Sequence, residues 1–397
     1  MDAVAWIAAI LKIVFVLIII LTFAPVLIWA ERRQSAMIQD RVGPHRAGVK
    51  LFGKNITLAG LLHPLADALK FVWKEDFIPP KADKLLHSLA PIIALVPAIS
   101  VFAVIPFGGA VYIDHLTTVL EPGQLASSLE GRFINLQIAD VNVGILYVFA
   151  IAGTGVVGAA IAGYSSDNKY ALLGGIRAAS QMVSYEVALG LTLVGCFMVY
   201  DSLQLSTMID WQRNHSLFGV KGLHLWGIFV QPLAFFLFFT AAIAETKRIP
   251  FDVPEGESEL AAGYFTEYSG MKFGMFFMGE FVEVITSSAL IAVLFLGGYD
   301  LPFLQDYGFD FSVGSLFANA VLPLPHVAVI GIQVLVFILK LVILIWLQLM
   351  IRWSLPRFRY DQIMQLCWKL LLPLALLNIM ITGFVVLGLN EWGLFNG

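Results

Sequence analysis

Long uninterrupted apolar runs alternate along the chain with shorter polar segments. A helix needs roughly 20 predominantly apolar residues to cross the hydrocarbon core of a bilayer. Eight runs meet that length: 4–30, 87–107, 141–163, 178–200, 225–244, 273–299, 326–351 and 370–389. The pattern predicts an all-α polytopic membrane protein with about eight transmembrane helices in a single membrane domain, 1–397. Strands of a membrane barrel would read as short alternating segments, and these runs are continuous. The first run lacks a basic leader and a small-residue cleavage pattern and passes straight into Glu31-Arg32-Arg33, which argues against a cleaved signal peptide. A shorter stretch behaves differently. Leu58, Leu61, Leu62, Leu65, Leu69, Val72 and Trp73 form a helical stripe, with His63, Asp67, Lys70 and Lys74 on the other face. This predicts an amphipathic helix, about 58–74, lying in the membrane surface, with the Asp67/Lys70 pair either solvated or lining a site.

Composition agrees with the pattern. Of 397 residues, 59% are hydrophobic and 13% charged, which excludes a cytosolic enzyme, a nucleic-acid binder and a disordered chain. The net charge of −4 matters less than where the charges lie. Segments 31–86, 164–177, 245–272 and 352–369 hold 19 of the 24 Lys and Arg, and the alternate set of loops holds 3. By the positive-inside rule the first set is cytoplasmic and both termini face outward. Cys196 then lies near the outer face and Cys367 on the inner one, so they cannot pair. With no CxxC or Cys/His spacing, no metal or iron–sulfur site is expected in this chain.

Gly153-Thr154-Gly155-Val156-Val157-Gly158 fits a dinucleotide-binding GxGxxG, but it sits inside an apolar span and follows no strand. Gly155, Ala159 and Gly163 read instead as a small-residue ridge for close helix packing. The carboxylates carry more information. Glu245, Asp252, Glu255, Glu257, Glu259, Glu267, Glu280 and Glu283 crowd one region. Asp252-Val253-Pro254-Glu255 also reads as a helix start, which accounts for part of the cluster. It does not account for Glu280 and Glu283, on one face of a span with Glu280 about 10 Å beyond the cytoplasmic entrance. Glu186 repeats the arrangement, roughly 13 Å past Arg177. Ionised carboxylates at such depth cost several kcal/mol unless paired, hydrated or neutral. A chain of them suits proton relay, because each member can gain and lose a proton. Lys340, about 18 Å before Arg352 along its helix, lies too deep to snorkel and is expected to partner this acidic set.

Four stretches carry a family resemblance: Glu31-Arg32-Arg33 with Gln39-Asp40-Arg41-Val42-Gly43-Pro44; Lys169-Tyr170-Ala171-Leu172-Leu173-Gly174 running to Gln181-Met182-Val183-Ser184-Tyr185-Glu186; Glu245-Thr246-Lys247-Arg248-Ile249-Pro250-Phe251-Asp252-Val253-Pro254-Glu255-Gly256-Glu257-Ser258-Glu259-Leu260; and Leu355-Pro356-Arg357-Phe358-Arg359-Tyr360-Asp361-Gln362. Read together, the chain resembles the H-subunit family (subunit 1 in mitochondria) of proton-pumping NADH–quinone oxidoreductase, respiratory complex I. The resemblance implies a non-redox membrane subunit of the bacterial inner membrane that walls a quinone-binding chamber and starts the charge path that couples quinone reduction to pumping. Matched by motif position, Glu31, Arg32, Arg41, Asp67, Lys70, Arg248, Phe251, Asp252 and Arg352 are the implied chamber residues. Glu186, Glu245, Glu255, Glu257, Glu259, Glu267, Glu280 and Lys340 are the implied charge path. Quinone would be the substrate, with iron–sulfur clusters and FMN held by hydrophilic partner subunits and pumping done by antiporter-like partners. His45 and Lys247 stand where the family commonly has Asn, and an ammonium at Lys247 favours an ionised Glu245. Rival readings are the homologous component of a membrane-bound hydrogenase, a stand-alone ion transporter and a structural scaffold. The Glu-rich and Arg-Phe-Arg-Tyr-Asp motifs favour the quinone enzyme over the first. Charges crowded on one face and deep Glu186 and Lys340 count against the other two.

Overall fold

The computed structural model describes residues 3–51, 54–120, 132–217, 222–254, 256, 262–311 and 321–391. Helices dominate, as the apolar runs require. In chain order they are α1 (Ala3–Ile38), α2 (Leu62–Trp73), α3 (Lys84–Ser100), α4 (Gly144–Ser165), α5 (Lys169–Tyr200), α6 (Leu205–Asn214), α7 (Gly227–Val230), α8 (Pro232–Glu245), α9 (Gly270–Phe295), α10 (His326–Ser354) and α11 (Tyr360–Gln365), which passes through a π-helical turn, Leu366–Leu371, into α12 (Leu372–Glu391). Strands are confined to small antiparallel pairings in the loops, such as Ala110–Tyr112 against Phe133–Asn135 and Leu304–Gln305 against Gly308–Asp310. Seven of the described helical segments are long and apolar enough to span a membrane, so the chain is an all-α polytopic membrane protein.

The apolar run at 225–244 does not form one continuous helix. It breaks at Gln231, whose φ/ψ of −129°/60° leaves the helical region, because Pro232 disfavours helical geometry in the residue before it. Pro232 then opens α8 at a position where a missing N–H costs nothing. An unsatisfied polar side chain at such a break would be costly in an apolar bundle, and here it is satisfied. Gln231 donates to Thr382 Oγ1 at 2.9 Å and accepts from Asn378 Nδ2 at 3.1 Å, which ties the break to α12.

Elsewhere the helix ends follow ordinary capping chemistry. Asp83 accepts from the Leu85 and Leu86 amides at the start of α3, and Asn168 accepts from Tyr170 at the start of α5. At the centre stands α9, with 83% of its most apolar window buried against 22% for the corresponding windows of α1 and the last span. α2 is amphipathic, with Leu65, Leu69, Val72 and Trp73 exposed and Pro64 buried.

Small residues let three helices close on one another, though not all where the spacing predicts. A Cβ on Gly158 would lie 2.8 Å from the Ala94 backbone nitrogen of α3, and one on Gly163 would lie 2.6 Å from the Ala171 oxygen of α5. Gly155, expected in this ridge, instead faces open space and lines a cavity. Gly163→Ala should therefore destabilise the assembled protein by about 1–3 kcal/mol through overpacking. Gly155→Ala should be neutral or slightly stabilising, since the helix gains up to about 1 kcal/mol of propensity. Thermal melting of the two purified variants checks the contrast.

Candidate functional site

The charged residues of the basic end fall into three groups. The first is a fork around Glu31. Its Oε2 lies 3.0 Å from Arg248 Nη1 and its Oε1 3.0 Å from Arg352 Nη1. Glu31 therefore joins α1 to the 246–254 segment and to α10. The Arg248 guanidinium also lies 3.9 Å from the centroid of the Phe281 ring on α9, a cation–π contact that shields its face. All three charged side chains are at least three-quarters buried.

The second group lies one residue away. Successive residues on a helix point about 100° apart, so Arg32 turns from that fork toward α2, where it meets Asp67 at 2.6 Å. This pair is much more exposed. Arg41 stays local, donating to Gln39 at 2.7 Å and to Ser35 at 3.1 Å. Lys70 is exposed on α2. The chamber residues carried over from the motifs are therefore brought together only in part: Glu31 with Arg248 and Arg352, and Arg32 with Asp67.

Phe251 and Asp252 are placed by a different set of contacts. Gln181 of α5 donates to the Ala244 and Phe251 carbonyls, both at 2.8 Å, and so holds the turn that follows α8. The Phe251 ring packs on Tyr185 and Phe358. Asp252 pairs with Arg357 at 3.6 Å, while the Phe358 amide donates to Pro250 O at 3.1 Å. Sequence reasoning left Gln181, Tyr185 and Arg357 outside the candidate set, although each stands within one of the four motif stretches.

The third group is the buried acids. Glu245 at the end of α8 and Glu283 on α9 line a cavity of about 60 Å³ with Thr246, Thr286 and Ser287, room for several water molecules. Glu186 points from α5 at Gly153 of α4, where a Cβ would lie 2.7 Å from its Oε1. Glu245 interacts electrostatically with Glu283, Glu186 and Lys247. Lys247 reaches Glu283 Oε2 at 3.6 Å, so the ammonium that departs from the family pattern acts on two acids at once. Glu280 is buried and receives the Tyr264 hydroxyl at 3.5 Å. Glu267 accepts from Asn168 at 2.7 Å. Beside it Tyr268 stacks on His87, and burial pushes its phenol up to about 12, so it stays protonated and can donate to Ser165. Glu255, Glu257 and Glu259 lie outside the described residues. Glu283 and Gly153 are further members of this group; Glu283 was legible as the acid one turn beyond Glu280.

Lys340 does not meet these acids. Its ammonium donates to Leu296 O at 2.5 Å, Gly298 O at 3.0 Å and Asp300 O, and sits 4.4 Å from the Trp226 ring centroid. Those carbonyls belong to the cap of α9 and the loop just past it, and Glu280 lies sixteen residues before Leu296, about 24 Å along the axis. The depth of Lys340 was legible in the sequence; its partner was not, because the unpaired carbonyls at a helix terminus leave no side-chain signature.

Fold and site together define a polytopic membrane protein with charge buried at one end of its bundle and, among its described residues, no cluster suited to a metal ion. The family described as NADH dehydrogenase matches residues 11–383. Similar proteins include the NADH-quinone oxidoreductase H subunit numbered 2 of Geobacter sulfurreducens, 44% identical over 377 residues and 95% of each chain. The H subunit numbered 2 of Koribacter versatilis is 41% identical over 380 residues, 95% of this chain and 96% of that one. That of Bdellovibrio bacteriovorus is 40% identical over 389 residues, 95% of each chain. The chain belongs to the H-subunit family of NADH–quinone oxidoreductase, the membrane component of a proton-translocating enzyme complex.

Glu31→Ala would leave two largely buried guanidiniums without their acceptor and should cost about 3 kcal/mol, against less than about 1 kcal/mol for Arg32→Ala at the exposed pair. The thermal midpoints of the purified complexes carrying each variant test this ranking.

Proposed function

We propose that the basic end of this bundle forms the membrane wall of a quinone chamber and the first stage of a charge path toward pumping subunits. The carrying observation is that one carboxylate, Glu31, gathers Arg248 and Arg352 at the end of the bundle where Glu245 and Glu283 line a small cavity and Glu186 acts on Glu245. In this reading Glu31, Arg32, Arg41, Asp67, Lys70, Arg248, Phe251, Asp252 and Arg352 face or frame the quinone headgroup. Glu186, Glu245, Glu267, Glu280 and Glu283, with Glu255, Glu257 and Glu259 of the acidic loop, carry the charge onward. The basic end faces the cytoplasm of a bacterial cell, both termini lie outside, and hydrophilic partners bring the reducing iron–sulfur cluster to the chamber mouth.

The coupling is electrostatic. Quinone takes up electrons and protons as it is reduced, so the charge beside the Arg248 and Arg352 guanidiniums changes during turnover. A unit charge about 10 Å from a carboxylate, at an effective dielectric near 20, is worth roughly 1.7 kcal/mol. That exceeds the roughly 1.4 kcal/mol of one pKa unit, enough to change the protonation of an acid held near its midpoint. Glu245, Glu283 and Glu186 repel one another, so a proton gained by one alters its neighbours. Lys247 and Arg248 limit the net charge of the group, and the cavity between Glu245 and Glu283 gives hydration a place.

Glu245→Gln and Glu186→Gln keep shape and hydrogen bonding but remove ionisation. Each should lower NADH–quinone activity and proton pumping of the assembled complex about tenfold, some 1.4 kcal/mol of activation free energy. Reduction of a soluble acceptor such as ferricyanide should stay within about twofold. Full quinone activity and pumping in both variants would reject the path. Gly153→Ala, whose Cβ needs the space of the Glu186 carboxylate, should reproduce part of that loss without lowering the melting temperature.

A further inference from the structure

Between α1 and α10 runs an apolar cleft of about 320 Å³ whose walls include Phe23, Leu27, Val342 and Trp346. It follows α1 from Phe23 to Met37, about 21 Å at the helical rise. The hydrocarbon of one leaflet is about 15 Å deep, so the cleft accommodates one acyl chain and reaches the headgroup level. Its walls are almost wholly apolar, and Arg33 of α1 stands on the rim at its basic end.

The charges around that rim are unevenly paired. Glu31 is taken by Arg248 and Arg352, and Asp67 by Arg32. Arg33, by contrast, makes no ion pair or hydrogen bond among the described residues, and its guanidinium lies against Gly43, where a Cβ would be 3.2 Å from Nη1. Arg41, on the same stretch, donates to neutral partners, Gln39 and Ser35. An unpaired, exposed guanidinium at the mouth of a leaflet-deep apolar slot between two membrane helices asks for one kind of molecule: an acceptor-rich anion joined to a hydrocarbon chain. Basic pockets between membrane helices at the headgroup level take anionic phospholipids for the same reasons.

We propose that this cleft is a seat for one anionic phospholipid, its phosphate held by Arg33 at the rim and one acyl chain laid between α1 and α10. The lipid would brace the two helices that Glu31 and Arg352 join just above it.

The test uses the purified complex in nanodiscs with photoactivatable diazirine lipids and peptide mapping of the label. Phosphatidylglycerol should label peptides covering 23–37 and 342–349 at least about fivefold more than phosphatidylcholine of the same chains. Arg33→Gln should bring the two to the same level. Leu349→Trp, which fills the slot from α10 and leaves the basic rim intact, should lower labelling by both and serves if the first variant fails to assemble. Excess long-chain quinone should leave the label unchanged. Equal labelling by both headgroups in the unmodified complex, preserved discrimination in Arg33→Gln, or displacement by quinone, which would assign the cleft to an isoprenoid tail, each overturns the proposal. The outcome is independent of the quinone-chamber reading, since Arg33 is not among its residues.

Discussion

One carboxylate shared by two guanidiniums organises the basic end of this molecule. Arg248 and Arg352 arrive from segments more than a hundred residues apart, and Glu31 comes from a third. Remove any one contact and a charged group is left in surroundings that solvate it poorly, so the three elements are tied in one geometry rather than in several. Phe281 covers the Arg248 face from α9, and Glu283 on the same helix acts on the same guanidinium. The residue after Glu31, Arg32, carries α1 to α2 through Asp67. The position of α1 thus fixes the fork, the amphipathic helix and the cleft together.

The acids below this fork are tolerated for specific local reasons. Glu283 has Lys247 at 3.6 Å, Glu280 has the Tyr264 hydroxyl, Glu186 occupies the space Gly153 leaves, and Glu245 faces a cavity large enough for water. Each acid thus has its own local reason to be accommodated, and no single arrangement serves all four.

The fold class was legible because the bilayer demands long apolar runs, a constraint read directly from residues. The break at Gln231–Pro232 was visible in principle, since Pro232 stands inside the run, but apolar length outweighed it. For the site, the motifs marked most of the residues that meet, including Glu31, Arg248 and Arg352, yet could not say which charge takes which partner. Glu31 and Arg32 are adjacent in sequence and face different helices, a consequence of rotation about the axis that adjacency conceals. Lys247 acts on Glu245 as expected, but its ion pair with Glu283 on another helix was not foreseen. Such pairings depend on tertiary approach, which local pattern does not encode.

The two ends of α9 show why Lys340 belongs to a different category from the acids. At the far end a set of strong donors and acceptors meets near the terminus. Lys340 takes three carbonyls, Tyr200 takes Leu294 O at 2.8 Å, and Gln212 accepts from the Gly227 and Gly297 amides. Asp300 there receives His224 at 2.5 Å and Trp226 at 3.3 Å. A cation on the last carbonyls also complements the negative end of the helix dipole. Held by three acceptors, the ammonium ties α10 to the chain just past the end of α9. At the basic end α9 carries Glu283, which lines a cavity beside Lys247, and Glu280, which receives the Tyr264 hydroxyl. One helix therefore presents backbone carbonyls to a cation at one end and carboxylates at the other, and the two ends differ in kind because a helix terminus supplies acceptors without any side chain.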